Sequence, residues 1–225
     1  MLSREAITGL CAMLQDVLRP IGFRVILSHG PEDYCALNFY MSGSFQGCTR
    51  DMCGVSQAVA HCCIKEVTNA LFKRAGDYVH YRIDPDSQAE RAIEFEAIVG
   101  FPQVQGVIGC MHVAIEAPTD QPATFIEWGF HSINVQLVCD HRKHFLQVCS
   151  LFLGSSHDAY ILRQSQVPQL SRPPARLQGW MLGEKGYALK SWLLRPAINP
   201  CTAVEEKYNT CHGSTPASIE RPLGC

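Results

Sequence analysis

Three acidic residues in the second half of the chain, Asp158, Glu184 and Glu220, are of a type that could do metal-assisted chemistry. Glu184 follows a short apolar run, and Glu220 lies 36 positions further along the chain. Carboxylates are the hard oxygen ligands that Mg²⁺ prefers. Two such ions, held about 3.5–4 Å apart, can activate a water molecule and stabilise the leaving oxygen of a phosphodiester. These residues are therefore candidates for a divalent-metal site that hydrolyses phosphate esters.

Each acidic residue also has a purely structural interpretation. Asp158 can cap the helix that follows it, and Glu184 can be a solvated residue of a turn. Glu220 can be a first-turn acid that interacts favourably with a helix dipole. His112 can likewise be a satisfied core histidine instead of a metal ligand. The residues by themselves leave both interpretations open.

The elements that would position these residues are predicted after residue 100, where strand-like patterns replace helical ones. Residues 107–115 are rich in β-branched side chains, residues 132–139 alternate apolar and polar side chains, and residues 144–152 return after a turn. We expect these strands to form an antiparallel meander. A helix over about 158–164, a short strand over 180–183, a helix over 202–208 and the first turn of another over 217–221 are predicted to follow. The pattern predicts an α+β fold.

The first part of the chain is predicted to be helical, because residues 4–98 show helical periodicity and almost no strand alternation. We therefore expect a helical domain over residues 1–100 and a second domain over residues 101–225. Residues 49–60 are typical of a helix-turn-helix, in which Gly54 adopts the turn conformation and Ser56 caps the next helix. Residues 56–71 would then be the recognition helix. An ordinary helical hairpin is the alternative.

The side chains that would contact DNA from this motif are few and weakly basic. The candidates are Arg50, Ser56, Gln57, His61 and Lys65. Because phosphate contacts by basic side chains supply most non-specific affinity, we expect this face to bind DNA weakly. The net charge of the chain, −2, gives no overall basic signature either.

Composition also bears on the compartment and on the cysteines. No apolar run reaches about 18 residues, which predicts no transmembrane helix. The first residues show no apolar core of a signal peptide, so we expect an intracellular protein. Twelve cysteines are present, and we expect most of them to be reduced and buried. Two possible zinc sets match no standard zinc spacing: Cys139, His141 and His144; and Cys201, Cys211 and His212.

Several runs of the sequence resemble, in order, the Harbinger transposase-derived nucleases, which are DDE-type endonucleases. The runs are residues 107–118, 129–140, 154–158, 180–187 and 218–221; residues 40–46 and the helix-turn-helix are also similar to the family. The resemblance implies a helical helix-turn-helix region followed by an RNase H-like mixed sheet with helices. It also implies a further helical segment after Cys225, so the nuclease domain is expected to be incomplete at its C-terminus.

The resemblance implies a function and a set of site residues. It implies cleavage of DNA that depends on Mg²⁺ or Mn²⁺, with Glu184 and Glu220 as the second and third catalytic and metal-binding residues. Asp158 matches an acidic position that we assign to the site as a supporting or catalytic ligand. The first catalytic aspartate matches Gly109, which offers no ligand. We therefore expect an inactive or weakly active nuclease, with a non-catalytic DNA- or protein-binding module as the alternative.

The family resemblance also implies a location and a partner. It implies residence in the nucleus, with the cytoplasm as a second location, and a Myb-like partner protein. DNA is the other expected partner, bound weakly, and no membrane is expected.

Overall fold

The computed structural model describes residues 4–14, 35–118, 126–127, 129–173 and 176–214. The chain divides into two compact units, Met1–Tyr78 and Val79–Cys225. The domain break predicted near residue 100 falls inside the second of these units, because the helix Pro85–Val99 packs on the sheet through its buried Phe95. No helix in the described residues is long and apolar enough to cross a membrane.

The first unit contains four described helices. They are α1 (Arg4–Leu14), α2 (Cys35–Ser42), α3 (Gln46–Cys53) and α4 (Gln57–Tyr78). The apolar faces of α1, α2 and α4 meet in a small core that includes Leu14, Ala36, Cys63, Ile64 and Val67, and Cys53 of α3 packs in a second cluster with Cys35 and Ala60. The helical character predicted for this part of the chain is therefore present in the described residues.

The turn between α3 and α4 is built as its sequence predicts. Gly54 adopts the left-handed conformation with φ of 67°, and its N–H donates to the Arg50 carbonyl to end α3. The Ser56 hydroxyl accepts a hydrogen bond from the Val59 N–H at 3.3 Å, which satisfies one of the free donors at the start of α4. The helix begins at Gln57 and extends seven residues beyond the predicted end at Leu71, to Tyr78.

The second unit combines six described strands with four described helices. In chain order they are α5 (Pro85–Val99), β1 (Val104–Ala114), β2 (Ile126–Glu127), β3 (Phe130–Cys139), β4 (Phe145–Leu153), α6 (Asp158–Gln164), α7 (Val167–Leu170), β5 (Trp180–Gly183), β6 (Leu193–Leu194) and α8 (Ala203–Ser214).

The strands form one mixed sheet around β1. On one side, β1 pairs antiparallel with β3, which pairs antiparallel with both β4 and β2. On the other side, β1 pairs in parallel with β5, and β5 pairs in parallel with β6. The predicted antiparallel meander is confirmed. The mixed α+β arrangement, with helices beside the sheet, is consistent with the RNase H-like fold that the family resemblance implies.

The two faces of the sheet are covered by different helices. Successive side chains of a strand point to opposite faces. Val107 and Ile108 of β1 accordingly belong to two different hydrophobic clusters, one on each face of the sheet. Val107 packs with Phe95 of α5, and Tyr208 of α8 lies against the same cluster. Ile108 packs instead with Ile161 of α6. We call these the α5/α8 face and the α6 face.

Candidate functional site

Gly109 and Glu184 lie next to each other at one end of the parallel strand pair. The last paired residues of β1 and β5 are Ile108 and Gly183. Gly109 and Glu184 are therefore the next residues along these two strands. Gly109 is buried. The alternation of β1 puts Gly109 on the α5/α8 face, with Val107.

A cavity of about 560 Å³ opens at the same end of the sheet, on the α6 face. Its lining includes Asp158, the first residue of α6, and Glu184. The structure therefore brings together two of the acidic residues singled out in the sequence. Gly109 is not one of the described residues that line this cavity, and Glu220 lies outside the described residues. Cys110, the residue after Gly109 on β1, does line the cavity.

Asp158 is held in the cavity by a buried amide. The Asn134 side chain, which is 1% exposed, donates through Nδ2 to Asp158 Oδ1 at 3.2 Å and to the Ser156 carbonyl at 2.9 Å. The other carboxylate oxygen, Oδ2, lies 3.5 Å from the position that a Cβ would take on Gly186. This oxygen consequently faces the turn that carries Glu184. The N-cap of α6 is His157, so the capping interpretation of Asp158 does not describe its contacts.

The wall of the cavity behind the carboxylates is neutral. The Cys110 Sγ and the Tyr187 hydroxyl lie 3.2 Å apart in a hydrogen bond. Burial raises the pKa of the Cys110 thiol well above its ordinary value, and burial likewise raises the pKa of the Tyr187 hydroxyl. Both groups therefore keep their protons over the physiological range, and neither is suited to act as a nucleophile or a base.

The imidazole ring of His112 also lines the cavity. Its Nδ1 lies 2.9 Å from the Ser132 hydroxyl, and the ring is half-buried. Across the part of the chain that the structure describes, no group of three or more histidine, cysteine, aspartate or glutamate residues is arranged to hold a metal ion.

The carboxylates present at this site determine whether it can hold one divalent cation or two. The family resemblance implies a carboxylate ligand at position 109, and Gly109 offers none, so the described residues do not fit a pair of divalent cations. Asp158 and Glu184 do offer oxygen ligands at one cavity. A hard cation such as Mg²⁺ is commonly held by one or two carboxylates while keeping several waters. The donor chemistry therefore fits one cation.

Comparison with known proteins identifies the family. The family model described as "DDE superfamily endonuclease" matches residues 108–225, which is more than half of the chain. The chain belongs to this family of DDE superfamily endonucleases. The matched region contains β1 from Ile108 onwards together with Gly109, Asp158, Glu184 and Glu220.

Similar proteins occur in animals and in a plant. The chain is 38% identical over 189 residues to "Putative nuclease HARBI1" of Mus musculus, and the match covers 84% of this chain and 54% of the mouse protein. The Homo sapiens protein of the same name is 36% identical over 187 residues, with 83% and 54% covered. "Protein ALP1-like" of Arabidopsis thaliana is 26% identical over 163 residues, with 64% and 40% covered. The chain spans about half the length of the curated relatives that it matches. No solved structure matches the chain.

The residues predicted to contact DNA in this DDE-family chain lie on the first unit. Gln57, His61 and Lys65 are exposed along α4. Their spacing of four residues places them on one side of the helix. Arg50 lies on α3, is half-buried, and pairs with Asp51 through an Nη2–Oδ1 contact of 2.6 Å. Ser56 lies before α4 and accepts the capping hydrogen bond.

Sequence reasoning missed two residues of the site: Asn134, which lines the cavity, and Tyr187, which is hydrogen-bonded to the lining residue Cys110. Asn134 and Tyr187 contribute no charge, and they are far from Asp158 along the chain. The available signal for Asn134 was its place in the alternating polar positions of β3, because a polar side chain that becomes buried must find a partner. Tyr187 is 1% exposed, and nothing in its spacing distinguishes it from a core aromatic residue.

Proposed function

We propose that this chain is a transposase-derived DDE protein whose divalent-metal-dependent cleavage of DNA phosphodiesters is lost or strongly reduced. The observation that carries the proposal is the position of Gly109 directly beside Glu184 at the end of the parallel pair β1–β5. Family resemblance puts the first catalytic aspartate at that position. A nuclear location and a Myb-like partner, both implied by the resemblance, belong to the same proposal.

The chemistry expected of the family depends on charge as well as on coordination. A divalent cation, when bound, supplies positive charge to the phosphate and activates water. In this chain Glu184 offers one carboxylate at the strand end, and Glu220 is the third acidic residue by resemblance. Gly109 offers neither a ligand nor a charge. Water can fill the empty coordination position of Mg²⁺, but it cannot replace the negative charge.

Cleavage of supercoiled plasmid in Mg²⁺ or Mn²⁺ tests the proposal directly. The wild-type chain is compared with Gly109→Asp and with Gly109→Asn, a neutral side chain of the same size. We expect Gly109→Asp to raise cleavage by at least roughly 100-fold, since loss of a single catalytic group commonly costs that much. Gly109→Asn should stay at the wild-type level, and circular dichroism should show that both variants are folded.

Two results would contradict the proposal. Wild-type cleavage that is abolished by Glu184→Gln or by Glu220→Gln would show that the site is active without an aspartate at Gly109. If Gly109→Asp folds but cleaves no faster than Gly109→Asn, the loss of activity does not originate at this position.

A second candidate function is DNA binding without cleavage through the first unit. The observation that favours it is the exposed row of Gln57, His61 and Lys65 after the Gly54 turn. Binding of duplex DNA should weaken as salt rises, and Lys65→Ala should weaken it further. Lys73→Ala removes the same charge from an exposed position near the other end of α4, and should have little effect. Equal loss from both variants would argue against this face.

A further inference from the structure

An exposed band runs along one side of α4, within about 140° of the helix circumference. Its residues are His61, Lys65, Thr68, Asn69, Phe72 and Lys73. We propose that this band binds single-stranded nucleic acid. Bases stack on Phe72 and on Tyr40 of α2, which lies beside the band. Lys65 and Lys73 contact the phosphates.

The duplex binding proposed above does not use the C-terminal half of the band. A recognition helix contacts base edges through its N-terminal residues, which in α4 are Gln57, His61 and Lys65. Phe72 lies about 10 Å further along the helix axis than Lys65. The inference therefore goes beyond the proposed function, because it concerns another form of nucleic acid and requires neither a metal ion nor cleavage.

The first argument is the exposure of two aromatic rings on one surface. Phe72 is 81% exposed, and Tyr40 is 45% exposed. The Tyr40 hydroxyl is hydrogen-bonded to the hydroxyl of Thr68, which lies one turn before Phe72 on α4. Phe39 packs edge-on against Tyr40, with ring centroids 5.5 Å apart, so the Tyr40 ring is held in place. Exposed rings of this kind are the platforms on which single-stranded bases stack.

The second argument is the sign of the charge on the band. Both acidic residues of α4 lie outside it: Glu66 is half-buried, and Asp77 pairs with Arg74 through an Oδ2–Nη1 contact of 3.0 Å. Among the described residues, no ion pair engages Lys65 or Lys73. The band therefore offers positive charge to phosphate groups without an acidic residue of its own helix to oppose them.

The combination of rings and lysines favours a single strand over a duplex or a protein. Bases in a duplex stack on one another, so their faces are not open to Phe72, whereas every base of a single strand has a face that a ring can cover. Lysine is depleted at protein–protein interfaces, but Lys65 and Lys73 flank Phe72 here. Positive side chains and a ring follow one another over about 18 Å of helix, from His61 to Lys73.

Fluorescence anisotropy of a labelled oligothymidine of about 16 nucleotides, the upper end of common site sizes, tests the band on the full chain. Phe72→Leu keeps an apolar side chain but removes the ring. We expect it to weaken binding at least about fivefold, the effect of one lost base stack. Tyr40→Leu should also weaken binding, and Tyr40→Phe should restore part of it because the ring returns.

A lysine variant separates this surface from the proposed duplex site. Lys73→Ala should weaken oligothymidine binding and reduce the steepness of log affinity against log salt by about 0.7, the contribution of one phosphate contact on a single strand. Binding of a duplex, for which Lys65 is the expected contact, should change little in the same variant.

Matched controls isolate the stacking of bases. Tyr78→Leu removes a ring that is 62% exposed in the last turn of α4, outside the band, and should leave oligothymidine binding unchanged. An abasic oligonucleotide of the same length keeps the phosphates but offers no bases. It should therefore bind the wild-type chain and Phe72→Leu equally.

Two outcomes overturn the inference: a folded wild-type chain that binds no oligothymidine up to high micromolar concentration, or binding that survives both Phe72→Leu and Tyr40→Leu. The first outcome would leave a protein partner as the occupant of the band. Duplex binding and cleavage keep their own tests, because they are measured with duplex DNA and with Gly109 variants. Circular dichroism checks that each variant is folded.

Discussion

At the scale of single residues, the site is defined by where side chains of β1 point. Gly109 and Cys110 are neighbours in sequence but belong to opposite faces of the sheet, because side chains alternate along a strand. Cys110 lines the α6 face cavity with Asp158 and Glu184. Gly109 leaves the α5/α8 face without the carboxylate that the family resemblance places there. The cavity therefore keeps two of the acidic residues that the family resemblance implies, Asp158 and Glu184, while position 109 supplies none.

The Cys110 thiol should be unreactive in the folded protein. Burial raises its pKa far above the ordinary value, so the thiolate that reacts with maleimides is scarce at pH 8. We expect N-ethylmaleimide to label the exposed Cys48, Cys62 and Cys201 quickly, and to label Cys110 only after unfolding in urea. Peptide mass spectrometry reads the labelling at each site.

The labelling experiment tests whether the Cys110 thiol is buried in the folded protein. Cys201 is the internal reference, because it lies exposed in the same unit. Labelling of Cys110 at the rate of Cys201 in native protein would show that the cavity wall is open to solvent.

At the scale of elements, the α3–α4 turn is determined by local chemistry. Gly54 adopts a conformation that other residues resist, and Ser56 supplies a capping oxygen. Both effects depend on residues within a few positions of the turn, which is why the sequence predicts them. The start of α4, and with it the row of Gln57, His61 and Lys65, follows from these two residues.

Two glycines of the first unit should respond in opposite directions to alanine. Gly54→Ala puts a Cβ on a residue with φ of 67°, and should lower the free energy of unfolding by about 1 kcal/mol. Gly76 lies within α4, and a Cβ there meets no atom within 4 Å. Gly76→Ala should raise the free energy of unfolding by about 0.5–1 kcal/mol, because alanine favours helix. Urea unfolding followed by circular dichroism measures both changes.

The pair of glycine variants serves as its own control. Both add the same methyl group to the same unit, and they differ in backbone conformation. Equal changes of the same sign would show that the Gly54 turn is not strained by a side chain.

At the scale of the whole molecule, the central position of β1 assembles the second unit. β1 carries β3 on one side and β5 on the other, so residues from distant parts of the chain meet at its end. Asn134 comes from β3, Asp158 from the start of α6, and Glu184 from the residue directly after β5. The cavity exists only when all three segments dock on the same sheet.

Gly179 should be essential for the docking of β5. Its φ is 130°, and an added Cβ would lie 2.1 Å from the Gln103 carbonyl oxygen. That oxygen accepts the Trp180 N–H at 3.1 Å, at the start of the β1–β5 pair. Gly179→Ala should therefore destabilise the second unit by roughly 3 kcal/mol or more, the range of severe steric and backbone strain.

Hydrogen exchange with mass spectrometry localises this effect. In Gly179→Ala, peptides covering β5 and β6 should exchange faster, while peptides of α4 in the first unit should be unchanged. Gly213→Ala adds a methyl group to α8, where it meets no atom within 4 Å, and should leave β5 protected. Unchanged protection of β5 in Gly179→Ala would show that the β1–β5 docking tolerates a side chain at this position.

The sequence by itself determined the features that depend on neighbouring residues. The Gly54 turn, the Ser56 cap, the three meander strands and the α+β class follow from local conformation and from the alternation of apolar side chains. The start of α8 also follows from a neighbouring residue, because the Thr202 hydroxyl accepts the Glu205 N–H at 3.2 Å. Family resemblance added the candidate acids and the significance of Gly109.

Only the tertiary structure decided which residues share a site. The parallel register of β1 and β5 sets Gly109 beside Glu184, and this pairing is formed by segments more than 70 positions apart. Asn134 became part of the cavity because its strand pairs with β1, and its amide reaches Asp158 across the sheet face. Local patterns specify conformation and burial, but they carry no information on which distant strand becomes a neighbour. The cavity shared by Asn134, Asp158 and Glu184 therefore appears only when the sheet is assembled.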